Sequence, residues 1–186
     1  MFLGYSEQRR LVTFGGEYAR RLSVKSWVTT FYVAQVRPVM LEGDPTLAGI
    51  RDPATGQVVF RDPHPSRVEF APLQNFSFQN FYNRQWTYAA GLNPLGFKAN
   101  FLPHRRLQPF VAGGAGFLVS ARDVPIDNTS NFNFSFEFGG GLEWYYIARR
   151  SLRFDYRLHH ISNAFIGASN PGIDSGLWQI TYSFGK

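Results

Sequence analysis

Asn131-Phe132-Asn133-Phe134-Ser135-Phe136-Glu137-Phe138-Gly139-Gly140-Gly141-Leu142-Glu143-Trp144-Tyr145-Tyr146-Ile147 is the stretch on which the fold turns. Phe132, Phe134, Phe136, Phe138, Leu142, Trp144 and Tyr146 fall on one side of a two-residue period. Asn133, Ser135, Glu137 and Glu143 fall on the other. A period of two belongs to a β-strand, whose successive side chains point to opposite faces. An aromatic face opposite a carboxylate-bearing face suits a strand with lipid outside and a polar lumen within. A soluble barrel with its aromatics turned inward produces the same period. The polar face separates the two: it holds small and ionisable residues, Gly139 and Gly141 included, as a crowded small lumen requires.

The pattern recurs along the chain. Val12, Phe14 and Tyr18 oppose Thr13 and Glu17, and Leu95, Phe97, Ala99 and Phe101 oppose Lys98 and Asn100. Phe154, Tyr156 and Leu158 oppose Arg153, Asp155 and Arg157, and Trp178, Ile180, Tyr182 and Phe184 oppose Gln179, Thr181 and Ser183. Inward Glu17, Glu137, Glu143, Asp155, Lys98, Arg153 and Arg157 are expected to pair with one another, because unpaired buried charge is costly. His159 is expected to be a luminal partner of Asp155 or Glu143. Trp27–Val36 and Phe110–Val119 alternate too weakly for their faces to be assigned.

These segments predict an all-β protein, an eight-stranded antiparallel transmembrane β-barrel of the outer membrane, as one domain over residues 1–186. The strands fall near 2–6, 9–21, 25–40, 85–101, 107–121, 131–147, 151–164 and 175–184. The links near 22–24, 102–106 and 148–150 are short and those near 41–84, 122–130 and 165–174 are longer. Membrane barrels alternate short periplasmic turns with longer outer loops in this way. The segment 41–84 reads as a long outer loop with turn-like Asp44-Pro45, Asp52-Pro53 and Ala54-Thr55-Gly56, in which Gln57-Val58-Val59-Phe60 forms part of a hairpin. Gly113-Gly114-Ala115-Gly116 and Gly139-Gly140-Gly141 lie inside strand patterns with no following Gly-Lys-Ser/Thr, so they are strand glycines and not phosphate loops.

Composition agrees. Charged residues and aromatics each make up 17% of the 186 residues, with 19 Phe, which is charge-poor and aromatic-rich for a soluble domain. No run approaches the roughly 18–20 apolar residues of a membrane-spanning helix. There is no cysteine, which excludes disulfides, thiolate metal sites and a Cys nucleophile. The formal net charge is +6. The charges are scattered and match no nucleic-acid-binding pattern, so phosphorylated lipid is the expected anionic partner. Met1-Phe2-Leu3-Gly4-Tyr5 lacks the charged and apolar regions of a secretion signal, which leads us to expect a mature or trimmed sequence.

Chemistry concentrates in Arg157-Leu158-His159-His160-Ile161-Ser162-Asn163-Ala164 and Asn170-Pro171-Gly172-Ile173-Asp174-Ser175. Strand parity puts His160 and Ser162 on one face, about 6.6–7 Å apart along the strand. The parity of Phe154, Tyr156 and Leu158 carries into both, so they project toward lipid. Asp174 shares the parity of Trp178 and Ile180 and projects outward as well, brought beside His160 by the loop 165–173. Polar groups on a lipid-facing surface are expensive and point to function. A Ser–His–acid group is one such function: Ser162 attacks an acyl carbonyl, His160 takes its proton and Asp174 holds the imidazole. Asn163 or neighbouring backbone N–H groups are candidates for stabilising the oxyanion. The bland reading is a His-x-Ser of no consequence beside loop-end residues that serve turns. A metal site at His159 and His160 is disfavoured, because adjacent strand residues point apart.

His160-Ile161-Ser162-Asn163-Ala164 and Asn170-Pro171-Gly172-Ile173-Asp174-Ser175 resemble the C-terminal signature of the PagL-type lipid A 3-O-deacylases. Gly91-Leu92-Asn93-Pro94-Leu95 and Pro109-Phe110-Val111-Ala112-Gly113-Gly114-Ala115-Gly116 resemble further segments of that family. The likeness covers roughly residues 86–186. It implies an outer-membrane barrel with a Ser–His–acid triad at the outer leaflet: His160 as base, Ser162 as nucleophile, Asp174 where the best-known members carry Glu, and Asn163 in support of the oxyanion. It implies lipid A, or lipopolysaccharide, as substrate and partner, with no metal or other cofactor required. Arg61, Arg67, Arg84 and Arg122 occupy outer-loop positions suited to lipid A phosphates. The rival readings are a non-catalytic adhesin or structural envelope barrel, and a soluble lipocalin-like barrel with the Phe132–Phe138 row inside.

Overall fold

The computed structural model describes residues 9–61, 79–124, 126, 128–170 and 172–184. Among them every regular element is a strand: β1 (Arg10–Val24), β2 (Val28–Arg51), β3 (Val58–Arg61), β4 (Gln79–Phe101), β5 (Leu107–Val124), β6 (Ser130–Ile147), β7 (Arg150–Ser162) and β8 (Ile173–Phe184). They form one curled antiparallel sheet in the order β1-β2-β4-β5-β6-β7-β8, with β3 attached to β2. The two ends of the sheet, β1 and β8, touch but share no ladder. The expected first strand at 2–6 lies outside the described residues. The eight observed strands are therefore not the eight expected; the short β3 is the additional one.

Burial is inverted relative to a soluble protein. On β6, Phe134, Phe136, Phe138, Leu142 and Trp144 are 47–54% exposed, whereas Asn133, Ser135, Glu137 and Glu143 are all at 5% or less. β7 alternates without a break, with Leu152, Phe154, Tyr156 and Leu158 outward and Ser151, Arg153, Asp155, Arg157 and His159 buried. The Phe row faces outward, which removes the lipocalin-like reading. An apolar exterior round a polar interior is the pattern of a barrel whose solvent is lipid.

The interior is held by ion pairs. Arg153 reaches across from β7 to β1 and donates to both Glu17 oxygens at 2.8 and 2.7 Å. Lys98 donates to Glu143 at 2.8 Å, and Arg157 to Asp155 at 2.6 Å and Glu137 at 3.3 Å. Arg37, which the weak alternation of β2 concealed, donates to Glu137 Oε2 at 2.8 Å. The Phe110 ring lies under Lys98 and Arg153, at 5.8 and 5.4 Å. His159 corrects the expectation made for it. It stands directly opposite Glu137 in the ladder, 3.7 Å from that carboxylate, and shares a 2.9 Å hydrogen bond with Ser135. Asp155 is held by Arg153 and Arg157, and Glu143 by Lys98 and Ser151. Above the charges Met40, Ala89, Leu118 and Ile161 form a small apolar plug.

Of the segment expected as a loop at 41–84, the described residues are mostly strand. β2 continues to Arg51 and pairs with β4 from its first residue, Gln79. Pro45 sits in the ladder opposite Arg84, and proline removes only one donor, so the turn-like Asp44-Pro45 does not break the strand. Buried Glu42, Asp44 and Thr46 carry the inward face upward. The turn itself is at 52–57. Ala54 N and the Thr55 hydroxyl donate to the Asp52 carboxylate at 2.8 and 2.9 Å, and Gly56 takes a φ of 70°. The Ala54 N–H, chiefly, holds the Asp52 carboxyl below its usual range. Links 25–27, 102–106 and 148–149 lie at one end of the sheet; 52–57, 125–129 and 163–172 lie at the other. The links at the first end have two to five residues and the link from β7 to β8 has ten, the kind of asymmetry a membrane barrel shows.

Candidate functional site

His160 on β7 and Asp174 on β8 are direct ladder partners, as are Ile161 and Ile173. The isoleucines point inward and are 2% and 1% exposed, so packing fixes the register. The polar pair is thereby set on the outer face, where directly opposed Cβ atoms lie about 4.5–5.5 Å apart. His160 Nδ1 and Asp174 Oδ1 are 2.8 Å apart, with the side chains 22% and 14% exposed. Direct opposition explains why the short Asp side chain suffices to reach the ring. Below them Tyr156 packs on Trp178 at 4.8 Å, and its hydroxyl lies over Gly176: a Cβ there would come within 2.3 Å of it.

Ser162 emerges on the same face as His160, at the last residue of β7. Its Oγ donates to Asn170 Oδ1 at 3.0 Å and accepts from Ala164 N at 3.3 Å. The structure thus brings His160 and Asp174 into contact and holds Ser162 on the loop 163–172. Asn170 Oδ1 also accepts from Asn163 N at 3.0 Å. The Asn163 side chain is 1% exposed and committed within the loop, donating to Ser169 O at 2.8 Å and accepting from Phe165 N at 2.9 Å. Ala164 and Phe165 take positive φ values of 50° and 62°, a local strain that the surrounding hydrogen bonds hold in place. Phe165 and Ile166 are 78% and 62% exposed, an apolar tip beside the polar group.

Asn170 was legible only as the start of Asn-Pro-Gly, a turn signal; its side-chain role depends on the folded loop. Of the arginines expected at the outer end, Arg84 donates to Gly43 O at 2.7 Å, Arg61 ends β3 and Arg122 is exposed on β5. Arg67 lies outside the described residues.

An outward-facing His–Asp pair, with a serine two residues along the same strand, thus stands at the long-loop end of an inside-out, all-β sheet. The chain belongs to the lipid A 3-O-deacylase (PagL) family, whose family model matches residues 59–183. This is a family of outer-membrane β-barrels, hydrolases that act on lipid A. The match begins upstream of the roughly 86–186 over which the likeness was read, and takes in β3 and β4. No curated protein and no solved structure matches the chain.

Proposed function

We propose that this protein is an outer-membrane esterase that hydrolyses the ester-linked 3-hydroxyacyl chain at the 3 position of lipid A, with Ser162, His160 and Asp174 as its catalytic group. The observation that carries the reading is the 2.8 Å contact of His160 Nδ1 with Asp174 on the lipid side. With Nδ1 so engaged, Nε2 is the nitrogen left to act as base. Ser162 Oγ turns from Asn170 to His160 Nε2, gives up its proton and attacks the ester carbonyl. The tetrahedral intermediate collapses as His160 passes that proton to the departing 3-hydroxyl of the sugar. Water, deprotonated by His160, then releases the fatty acid from Ser162. The Ala164 N–H, which donates to Ser162 Oγ and is released when that hydroxyl turns to His160, is the nearest candidate for the developing oxyanion.

Depth in the membrane supports the same reading. His160 stands about ten residues up β7 from the short turns, or ~25 Å of height at a tilt near 40°, which matches the apolar band of such barrels. On this reading the polar group lies at the interface opposite the short turns, which we take as the outer-leaflet side. Exposed Phe165 and Ile166 supply an apolar surface there.

The test is the mass of lipid A from a Gram-negative strain making the protein at its surface. Loss of one 3-hydroxyacyl group is expected, and Ser162→Ala should abolish it while the protein still folds. Unchanged lipid A with folded, surface-located wild-type protein would refute the proposal and favour the non-catalytic barrel.

A further inference from the structure

We propose that the short-turn end of the sheet is a docking rim for anionic phospholipid headgroups. Lys25, Arg105, Arg106 and Arg149 lie in its three turns and Arg150 opens β7, and all five are exposed. The turn segments Lys25-Ser26-Trp27, Leu102-Pro103-His104-Arg105-Arg106 and Ala148-Arg149-Arg150 contain no Asp or Glu. Among the described residues no carboxylate pairs with any of the five. The nearest acids in sequence, Asp155 and Glu143, are buried and bound, the first to Arg153 and Arg157 and the second to Lys98 and Ser151. The long-loop end differs, with Glu42, Asp44, Asp52 and Asp123 set among its arginines. Among the described residues, the short-turn end thus carries positive charge with no exposed acid beside it.

Two structural features turn this charge into a surface. Two of the turns are tied together, Leu102 N donating to Trp27 O at 3.0 Å, and the second is tied to β6 by Tyr145 N, which donates to Arg106 O at 2.7 Å. An aromatic band lies just above them. Trp27 stacks on Phe101 at 6.3 Å, Trp144 packs against Tyr146 at 5.8 Å, and the Tyr146 and Tyr182 hydroxyls are 3.2 Å apart. Such bands sit at headgroup level, so cations immediately beyond them meet the lipid phosphates. Guanidinium groups bind phosphate oxygens in pairs, and four of the five cations are arginines.

The experiment folds the full chain into vesicles of equal phosphatidylglycerol and phosphatidylcholine and counts, by native mass spectrometry, the lipids that leave with it. Wild type should retain phosphatidylglycerol about fivefold or more over phosphatidylcholine, and about 0.5 M NaCl during extraction should reduce the preference at least about threefold. Arg105→Gln/Arg106→Gln/Arg149→Gln should abolish it, with Arg10→Gln/Arg51→Gln, two exposed arginines at the other end, as the control that keeps it. Equal retention of the two lipids by wild type, or a preference indifferent to salt, overturns the proposal. A folded triple variant that keeps the preference overturns it too. Should that variant fail to fold, Lys25→Gln/Arg150→Gln, read against wild type, decides in the same way.

Discussion

Replacing Arg153 by methionine tests the idea that the lumen is held by paired charge. Arg153 is 1% exposed and spends four hydrogen bonds: two on Glu17, one on Asp155 at 3.2 Å and one on Thr181 at 3.1 Å. Methionine fills much of the space and leaves the acids behind. Asp155 keeps Arg157 at 2.6 Å, so little is lost there. Glu17 keeps only the Gln35 amide at 2.9 Å and a distant Arg157 at 3.9 Å. Removing one partner of a buried pair costs about 3–5 kcal/mol, and the surviving contacts place this case near the lower end. A loss of ~3 kcal/mol is roughly a 150-fold fall in the folding equilibrium. The assay is urea unfolding in lipid vesicles, followed by tryptophan fluorescence. In Arg153→Met/Glu17→Gln the stranded charge is gone, and most of the loss should return, with a coupling of ~2 kcal/mol or more. A single variant within ~1 kcal/mol of wild type, or a double variant with purely additive losses, would show that the Glu17–Arg153 pair does not hold the lumen together.

Other expectations bear on the exterior, the ladder and the site. Phe138→Lys places a charge on the lipid face near mid-height of β6 and should lose ~2–4 kcal/mol in a bilayer while mattering far less in loose detergent; equal effects in both media would contradict a lipid-facing Phe138. Gly139→Ala brings a Cβ to 2.0 Å from Tyr156 O, a backbone atom, and should cost about 1–3 kcal/mol in unfolding. Gly176→Ala meets only the Tyr156 hydroxyl end, which can swing aside, and should cost less; the reverse order would contradict the strand spacing described here. Asp174→Asn should preserve folding and reduce deacylation ~10²–10⁴-fold in a lipid A mass assay, and near-wild-type turnover would remove Asp174 from the catalytic group. Asn170→Ala frees both Ser162 Oγ and Asn163 N and should speed proteolytic cleavage within 163–172; unchanged cleavage would mean that Asn170 does not secure the loop.

Parity was the most legible property of the sequence. The Asn131–Ile147 alternation told outside from inside because two chemically opposite faces ran unbroken for many residues. The same parity, carried from Phe154 through Leu158, put His160 and Ser162 on the outer face. Register was less legible. That His159 meets Glu137 follows from the β6–β7 pairing, which neither strand encodes alone. The height of β2 was hidden by Asp44-Pro45, a pair that usually announces a turn but here sits within the ladder, whereas Asp52-Pro53 does open the turn at 52–57. The hydrogen bond from Ser162 to Asn170 depends on the left-handed Ala164 and Phe165, a backbone state that neither residue type advertises.

The seam between β1 and β8 has a polarity. The path β1-β2-β4-β5-β6-β7-β8 is antiparallel at each step and has seven members, so its first and last strands point the same way. Both descend from the long-loop end to the short turns. Zipping the two together directly would make a parallel ladder in an otherwise antiparallel wall. Hydrocarbon offers unpaired backbone groups no other partner. A strand that satisfied both edges in the antiparallel manner would have to climb from the short-turn end. A second copy standing the same way up in the membrane cannot lend one, because both of its own borders descend as well. Among the described residues, the seam therefore suits an ascending strand and discriminates against both edges that these seven strands present.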